Sequence, residues 1–229
     1  MHVTNRKWFV FVATLALVMS LVGLVGCESK EAREAREAQE AVAADIAKAK
    51  ELADSGHEYA AAAILEQYAK DGEYPEAVEL LKGIDLVDPV VVASISKMSD
   101  ETLKEYMDYL KTIMSVEEKE GGRFYTITGY KTDCGVGIDR IQLSKDEDNG
   151  GYECMAFLSS SAVSGQDVQT LVDELISKNG LSGASSLRGD SISGLWSTSG
   201  NDSDGQIWTV LFSESRTLGN YISVTKTSS

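Results

Sequence analysis

The feature that most constrains the fold is a change of period near residue 122. Before it, apolar residues recur at spacings of three and four; after it, they alternate in most segments, one helical stretch from Val168 to Ile176 apart. The only two prolines, Pro75 and Pro89, lie in the first part, while glycine and serine concentrate in the second. A chain patterned in this way is expected to be α+β, with helices first and an antiparallel sheet after them.

Glu31 to Ala53 has no Gly or Pro and is rich in Ala, Glu, Lys and Arg, which are strong helix formers. Ala35, Ala38, Val42, Ile46, Ala49 and Ala53 make a thin apolar stripe. A coiled-coil seam wants bulkier residues, so residues 27–56 read as a charged helical stalk, with a coiled-coil partner as the alternative. Asp54-Ser55-Gly56 ends the helix. Ser99 is placed as the N-cap of a later helix, with Asp100 and Glu101 in its first turn. Leu103, Tyr106, Met107, Leu110, Ile113 and Met114 form its apolar face. Val90-Val91-Val92 suits a short strand or a buried helical turn. The helical domain is therefore expected over 57–115. The charged segment 116–122, ending in Gly121-Gly122, reads as a linker.

The α+β domain is expected over 123–229. Strands are predicted at 123–130, 138–144 and 152–158. A helix capped by Ser164, with Asp167 three residues on, buries Val168, Leu171, Val172, Leu175 and Ile176 and ends at Asn179-Gly180. Further strands follow at 189–197, 206–213 and 218–225, giving the order β-β-β-α-β-β-β. Trp208, Val210 and Phe212 share one face of a strand and Ile207, Thr209 and Leu211 the other. One face is expected to meet the helix; the other is covered by the helical part or left as a binding surface.

The first 26 residues are of another kind. Arg6 and Lys7 precede an apolar run from Trp8 to Val25, the layout of a secretory signal peptide. The run is also about as long as the shortest membrane-spanning helix, roughly 17 residues, so an uncleaved anchor is the alternative. The run closes on Leu24-Val25-Gly26-Cys27, which resembles the bacterial lipobox. The resemblance implies cleavage before Cys27 and a diacylglycerol on that cysteine. It implies a lipoprotein held at the cell membrane by several acyl chains and facing away from the cytoplasm. More than one chain is what stable anchoring requires.

The formal charge is −15, and removing Arg6 and Lys7 with the leader takes it to −17. Such a charge repels nucleic acid and anionic head groups, which excludes nucleic acid as a partner. With Cys27 lipidated, Cys134 and Cys154 remain as a candidate disulfide in a compartment that permits one. A hairpin turning near Asn149 places Cys154 opposite about Gln142, so the bond requires the Cys134 segment to fold back. Two separate small apolar positions are the alternative.

Ala61 to Pro89 resembles a single tetratricopeptide-type helical hairpin at Tyr68, Gly72, Tyr74, Ala77, Leu81 and Asp88-Pro89. That resemblance implies protein–protein contact. An ordinary antiparallel helix pair accounts for the same residues.

No catalytic motif is complete. Gly189-Asp190-Ser191-Ile192 resembles the nucleophile block of GDSL-type hydrolases, but no histidine follows it. Ser94-Ile-Ser-Lys97 matches S-x-x-K without its partner motifs. Asp202-Ser-Asp-Gly205 resembles part of a calcium loop, yet Gly200 and Leu211 stand where acidic ligands are needed. With His57 the one histidine beyond the leader, a zinc site is not expected, and no cofactor motif is present. Trp196, among Ser, Gly and Asn, is the candidate ligand-contacting aromatic.

These residues lead to a non-catalytic lipoprotein that binds or scaffolds an envelope or cell-surface protein through its helical part. Capture of a peptide or glycan by the β-rich domain is the alternative. A carboxylate-dependent hydrolase comes third, because it needs two facing acids that sequence alone does not place.

Overall fold

The computed structural model describes residues 29–148, 150–159, 164–190, 194–215 and 217–227. The architecture is α+β, with N-terminal helices followed by an eight-stranded antiparallel sheet into which one helix is inserted.

The chain divides between Asp45 and Ile46. Helix α1 (Lys30–Asp54) runs through that point. From Lys30 to Ala41 every residue is exposed, and the turns are laced by Lys30–Glu34, Arg33–Glu37 and Arg36–Glu40 pairs at a spacing of four. Each such pair adds only about 0.3–0.5 kcal/mol. Beyond the division Ile46 and Ala49 are buried.

In residues 46–229, α2 (Glu58–Ala69) and α3 (Pro75–Lys82) form the expected helical hairpin. Ala77 is fully buried between them, and Tyr68 meets Tyr74 edge-on at 5.6 Å. The Val90 segment is a helical turn rather than a strand, continuing into α4 (Val92–Ile95). Helix α5 (Asp100–Ile113) starts at Ser99, whose hydroxyl accepts from the Thr102 N–H at 3.1 Å.

The segment read as a linker is instead a strand. β1 (Ser115–Lys119) leaves α5 directly and pairs with β2 (Phe124–Thr128). β3 (Ile138–Lys145) and β4 (Tyr152–Leu158) complete the first half of the sheet. Helix α6 (Gly165–Lys178) is capped as expected, Ser164 Oγ accepting from the Asp167 N–H at 3.1 Å. The strand expected over 189–197 is two strands, β5 (Arg188–Asp190) and β6 (Leu195–Asn201). β7 (Ile207–Ser215) and β8 (Gly219–Lys226) follow. The sheet therefore has eight strands where six are predicted, in the order β1-β2-β3-β4-β8-β7-β6-β5.

No linker separates helices from sheet, because one hydrophobic cluster spans both. Tyr106, Met107 and Leu110 of α5 and Leu171 and Leu175 of α6 join Ile141, Leu143, Trp208 and Val210 in it. The predicted domain boundary at 116–122 thus falls inside a single packed body.

Candidate functional site

Strand parity decides which side chains are spent on the core. Trp208, Val210 and Phe212 point inward under the helices, where they are 2, 0 and 5 % exposed. Their neighbours Ile207, Thr209 and Leu211 point outward. The register carries this outward set across the middle of the sheet. One row runs Phe157, Tyr221, Ser213, Leu195; the next runs Met155, Ser223, Leu211, Ser197. Phe157 is buried on the outward side by the Tyr221 ring at 5.8 Å and the Arg140 guanidinium at 3.8 Å from its centroid. A third row is made of hydroxyls: Ser199 lies 3.0 Å from Thr209, which lies 2.8 Å from Thr227. No outward position of β6, β7 or β8 carries a charge.

A groove of about 660 Å³ lies between α5 and the β1–β2 hairpin. Tyr125, Tyr152 and Met107 line it, and its walls alternate in sign: Lys111 pairs with Asp108 at 2.7 Å and Arg123 with Glu147. Burial, with lesser effects from Tyr125 and nearby acids, pushes the Tyr152 phenol up to about 12. Tyr125 is raised for the same leading reason.

The densest polar cluster sits at the end of α6. Lys178 Nζ lies 2.5 Å from Asp88 Oδ2, 2.9 Å from Asp133 Oδ2 and 3.3 Å from Glu174 Oε1, and donates to Tyr130 OH at 3.2 Å. Burial opposes the ammonium charge, but the bonds to Asp88, Asp133 and Tyr130 outweigh it and hold the group well above its ordinary value. Burial works likewise against the Glu174 carboxylate. Bonds from the Cys134 thiol and from the Cys134 and Asp133 N–H groups overcome it and lower that carboxyl. Tyr130 and Tyr106 are raised chiefly by burial. Beside this cluster Asn179 donates to the Val90 and Leu175 carbonyls, both at 2.9 Å, and accepts from the Ala93 N–H at 3.1 Å. Lys178, Glu174, Tyr130 and Tyr106 are thereby each held in the protonation state they have in water at neutral pH, the opposite of the tuning that acid–base chemistry needs.

The predicted site residues fare unequally. The lipobox and Cys27 lie outside the described residues. Cys134 and Cys154 are both free, so the expected disulfide is corrected. Cys154 faces the core from β4 opposite Leu143 and Val224, whereas the Cys134 backbone is tied to Glu174 on α6. Burial pushes the Cys154 thiol up to about 12. Trp196 points to the core side, against Phe212 at 5.4 Å, and does not line the groove beside α5.

The remaining motifs resolve as structure. A Cβ on Gly189 would meet the Leu195 carbonyl at 2.0 Å, so this glycine allows β5 to approach β6. Ser191 and Ile192 lie outside the described residues. Lys97 of the S-x-x-K match is paired with Asp204 at 2.5 Å and Asp202 at 3.3 Å. Its ammonium therefore sits at the acidic turn that resembles a calcium loop. Asp202 also accepts from the Asp204 and Gln206 N–H groups and from Trp208 Nε1. Among the described residues no group of three or more His, Cys, Asp or Glu is placed to hold a metal ion. His57 sits at the start of α2 with Nδ1 2.7 Å from Glu105. Among the described residues no helix is long and apolar enough to cross a membrane.

Sequence reasoning named Asp88 and Asn179 only as a turn and a helix end and missed Lys178, because the contacts that tie them to the rest of the fold include partners 86 to 90 positions away. The two faces of β7 were visible in its alternation. No family model, curated protein or solved structure matches this chain.

Proposed function

We propose that this chain is an extracytoplasmic lipoprotein, anchored through Cys27, that acts as a non-catalytic protein-binding or scaffolding module. The observation that carries the reading is the outward face of β6, β7 and β8. In a chain that is 25 % charged, a face meant only for water has no reason to exclude charge. Depletion of charge around bulky apolar residues is the composition of an interface centre. The helices are a poorer surface than the sequence suggests, since α5 and α6 turn their apolar faces into the core. The contact surface is therefore assigned to the sheet.

Two measurements test this. Incorporation of labelled palmitate should occur in the full chain and be lost in Cys27→Ala; label in neither would remove the anchor. Cross-linking in native membranes, read by mass spectrometry, should recover a protein partner that Leu211→Lys loses. A partner retained by Leu211→Lys, or no partner at all, would overturn the binding face.

A further inference from the structure

We infer that the groove between α5 and the β1–β2 hairpin binds a linear organic polycation, a free di- or polyamine in its ammonium form. The groove lies on the helix side of the sheet, away from the outward face: Tyr125 stands opposite Leu143, and Leu143 opposite Cys154, in the core. One polar group of the groove is not satisfied from within. Tyr125 is 6 % exposed and lines the groove, and its hydroxyl makes no hydrogen bond among the described residues. Its neighbour Tyr152 instead donates to the Gly122 carbonyl at 3.0 Å. The Tyr125 hydroxyl stands over Gly122, where an added Cβ would meet it at 2.7 Å, and the same point lies 3.8 Å from Glu118 Oε1. A phenol oxygen and a carboxylate oxygen thus flank one spot, and both accept hydrogen bonds. A ligand N–H placed there removes the cost of a hydroxyl left unpaired.

Charge decides the sign of the ligand. Eight acids and four bases line this groove and an adjoining one of about 370 Å³, which shares Glu120, Arg123, Lys145 and Glu147 with it. Two of the bases are already paired, Lys111 with Asp108 and Arg123 with Glu147, while Lys104 and Lys145 are exposed. Burial, and then the charges of Glu118, Asp100 and Asp108, raise the Tyr125 phenol, so every charge acting at that hydroxyl is negative. An anion is repelled there and an ammonium group attracted. Shape decides the rest. Among the described residues no three acids converge to hold a metal ion. The negative charge is instead drawn out along two joined grooves, and a point ion neutralises only one end of them. Ammonium groups joined by methylenes match the whole length: the cations meet carboxylates, and the methylenes lie over Leu103, Met107 and the tyrosine rings. The main groove, about 660 Å³, has the size of a small-molecule site, about 300–1,000 Å³, which favours a slim free amine over a lysine-rich protein segment.

Isothermal titration calorimetry of the full chain in detergent tests this, with spermidine as the probe. Saturable binding is expected, several-fold tighter than that of butylamine, which carries one charge. Tyr125→Phe keeps the ring and removes the unpartnered hydroxyl; it should weaken binding about tenfold, as a lost hydrogen bond to a charged group does. Glu118→Gln should weaken binding at least as much, while the exposed Glu76→Gln on α3 should leave it unchanged. Circular dichroism checks that the variants fold. Should Tyr125→Phe not fold, Glu118→Gln, at an exposed position, decides. No saturable binding of spermidine overturns the inference. Binding that a folded Tyr125→Phe or Glu118→Gln leaves unchanged also overturns it, since it reflects only diffuse attraction to a chain of charge −15. Calcium chloride and a tetralysine peptide are the comparison probes. Calcium that displaces spermidine at equal concentration overturns the polyamine in favour of a metal ion. Tetralysine that binds more tightly than spermidine, and loses affinity in the same variants, overturns it in favour of a protein partner.

Discussion

Lys178 and Asp88 lie 90 positions apart in sequence and 2.5 Å apart in space. The pair joins the last turn of α6 to the Asp88-Pro89 turn beyond the helical hairpin. Both side chains are mostly buried, 18 and 26 % exposed, and Asp133 and Glu174 share the same ammonium. Removing the cation leaves three carboxylates facing one another. Lys178→Met is therefore expected to cost about 3 kcal/mol, near the lower end for breaking a buried pair. Asp88→Asn should cost less, because Lys178 keeps two carboxylate partners and Tyr130. Urea denaturation of the two variants reads the difference, and equal losses would mean that the Asp88 contact alone accounts for the effect of Lys178.

Asn179 is 5 % exposed and satisfies three backbone groups at once. Asn179→Ala strands the Val90 carbonyl and the Ala93 N–H, at a cost of about 1–3 kcal/mol for each buried group left unpaired. Asn179→Asp should be worse, since a carboxylate would face two carbonyl oxygens. Thermal unfolding of both variants checks the order.

What could be read from residues alone depended on how local the cause was. The caps at Ser99 and Ser164 need only the next three residues, and both stand where expected. The inward set Trp208, Val210, Phe212 follows from a period of two. β1 escaped because it is an edge strand in which only Val116 is partly buried; its Glu117, Glu118 and Lys119 resemble a linker and in fact protect the edge. β5 and β6 merged into one expected strand because the double-back of Gly189 onto Trp196 depends on close backbone approach, not on pattern. The cysteine pairing failed on geometry, with Cys154 opposite Leu143 and Cys134 held by α6. The outward face was legible as a possibility; its lack of charge across three strands required the register.

The two thiols should differ in reactivity. Cys154 is buried in the core, whereas Cys134 is half-buried in the loop before β3. Alkylation of the native protein should label Cys134 first and Cys154 only on unfolding, with no change in electrophoretic mobility on reduction. The sign of the pH effect also follows. The folded thiol of Cys154 is raised to about 12, above an unfolded value of about 8.5. Its contribution to stability is whole below about pH 8.5 and declines as pH rises through that window. Cys154→Ala should remove this part of the alkaline slope while leaving a small cavity.

Acid should act through Glu174 and Asp202, both lowered in the fold despite burial. Their contributions are present above the unfolded carboxyl values, about 4.3 and 3.9, and are lost as pH falls through the folded ones. Melting temperature should therefore drop steeply below about pH 4, and Glu174→Gln should flatten that drop. Calcium bears on the same acidic turn. The Lys97 ammonium already stands against Asp202 and Asp204, so millimolar calcium should leave the melting temperature unchanged. A clear upward shift would mean that the ion displaces Lys97. In that case Lys97→Met should bind calcium more tightly than the native chain, and a titration followed by Trp208 fluorescence would read it, since that indole donates to Asp202 at 3.2 Å.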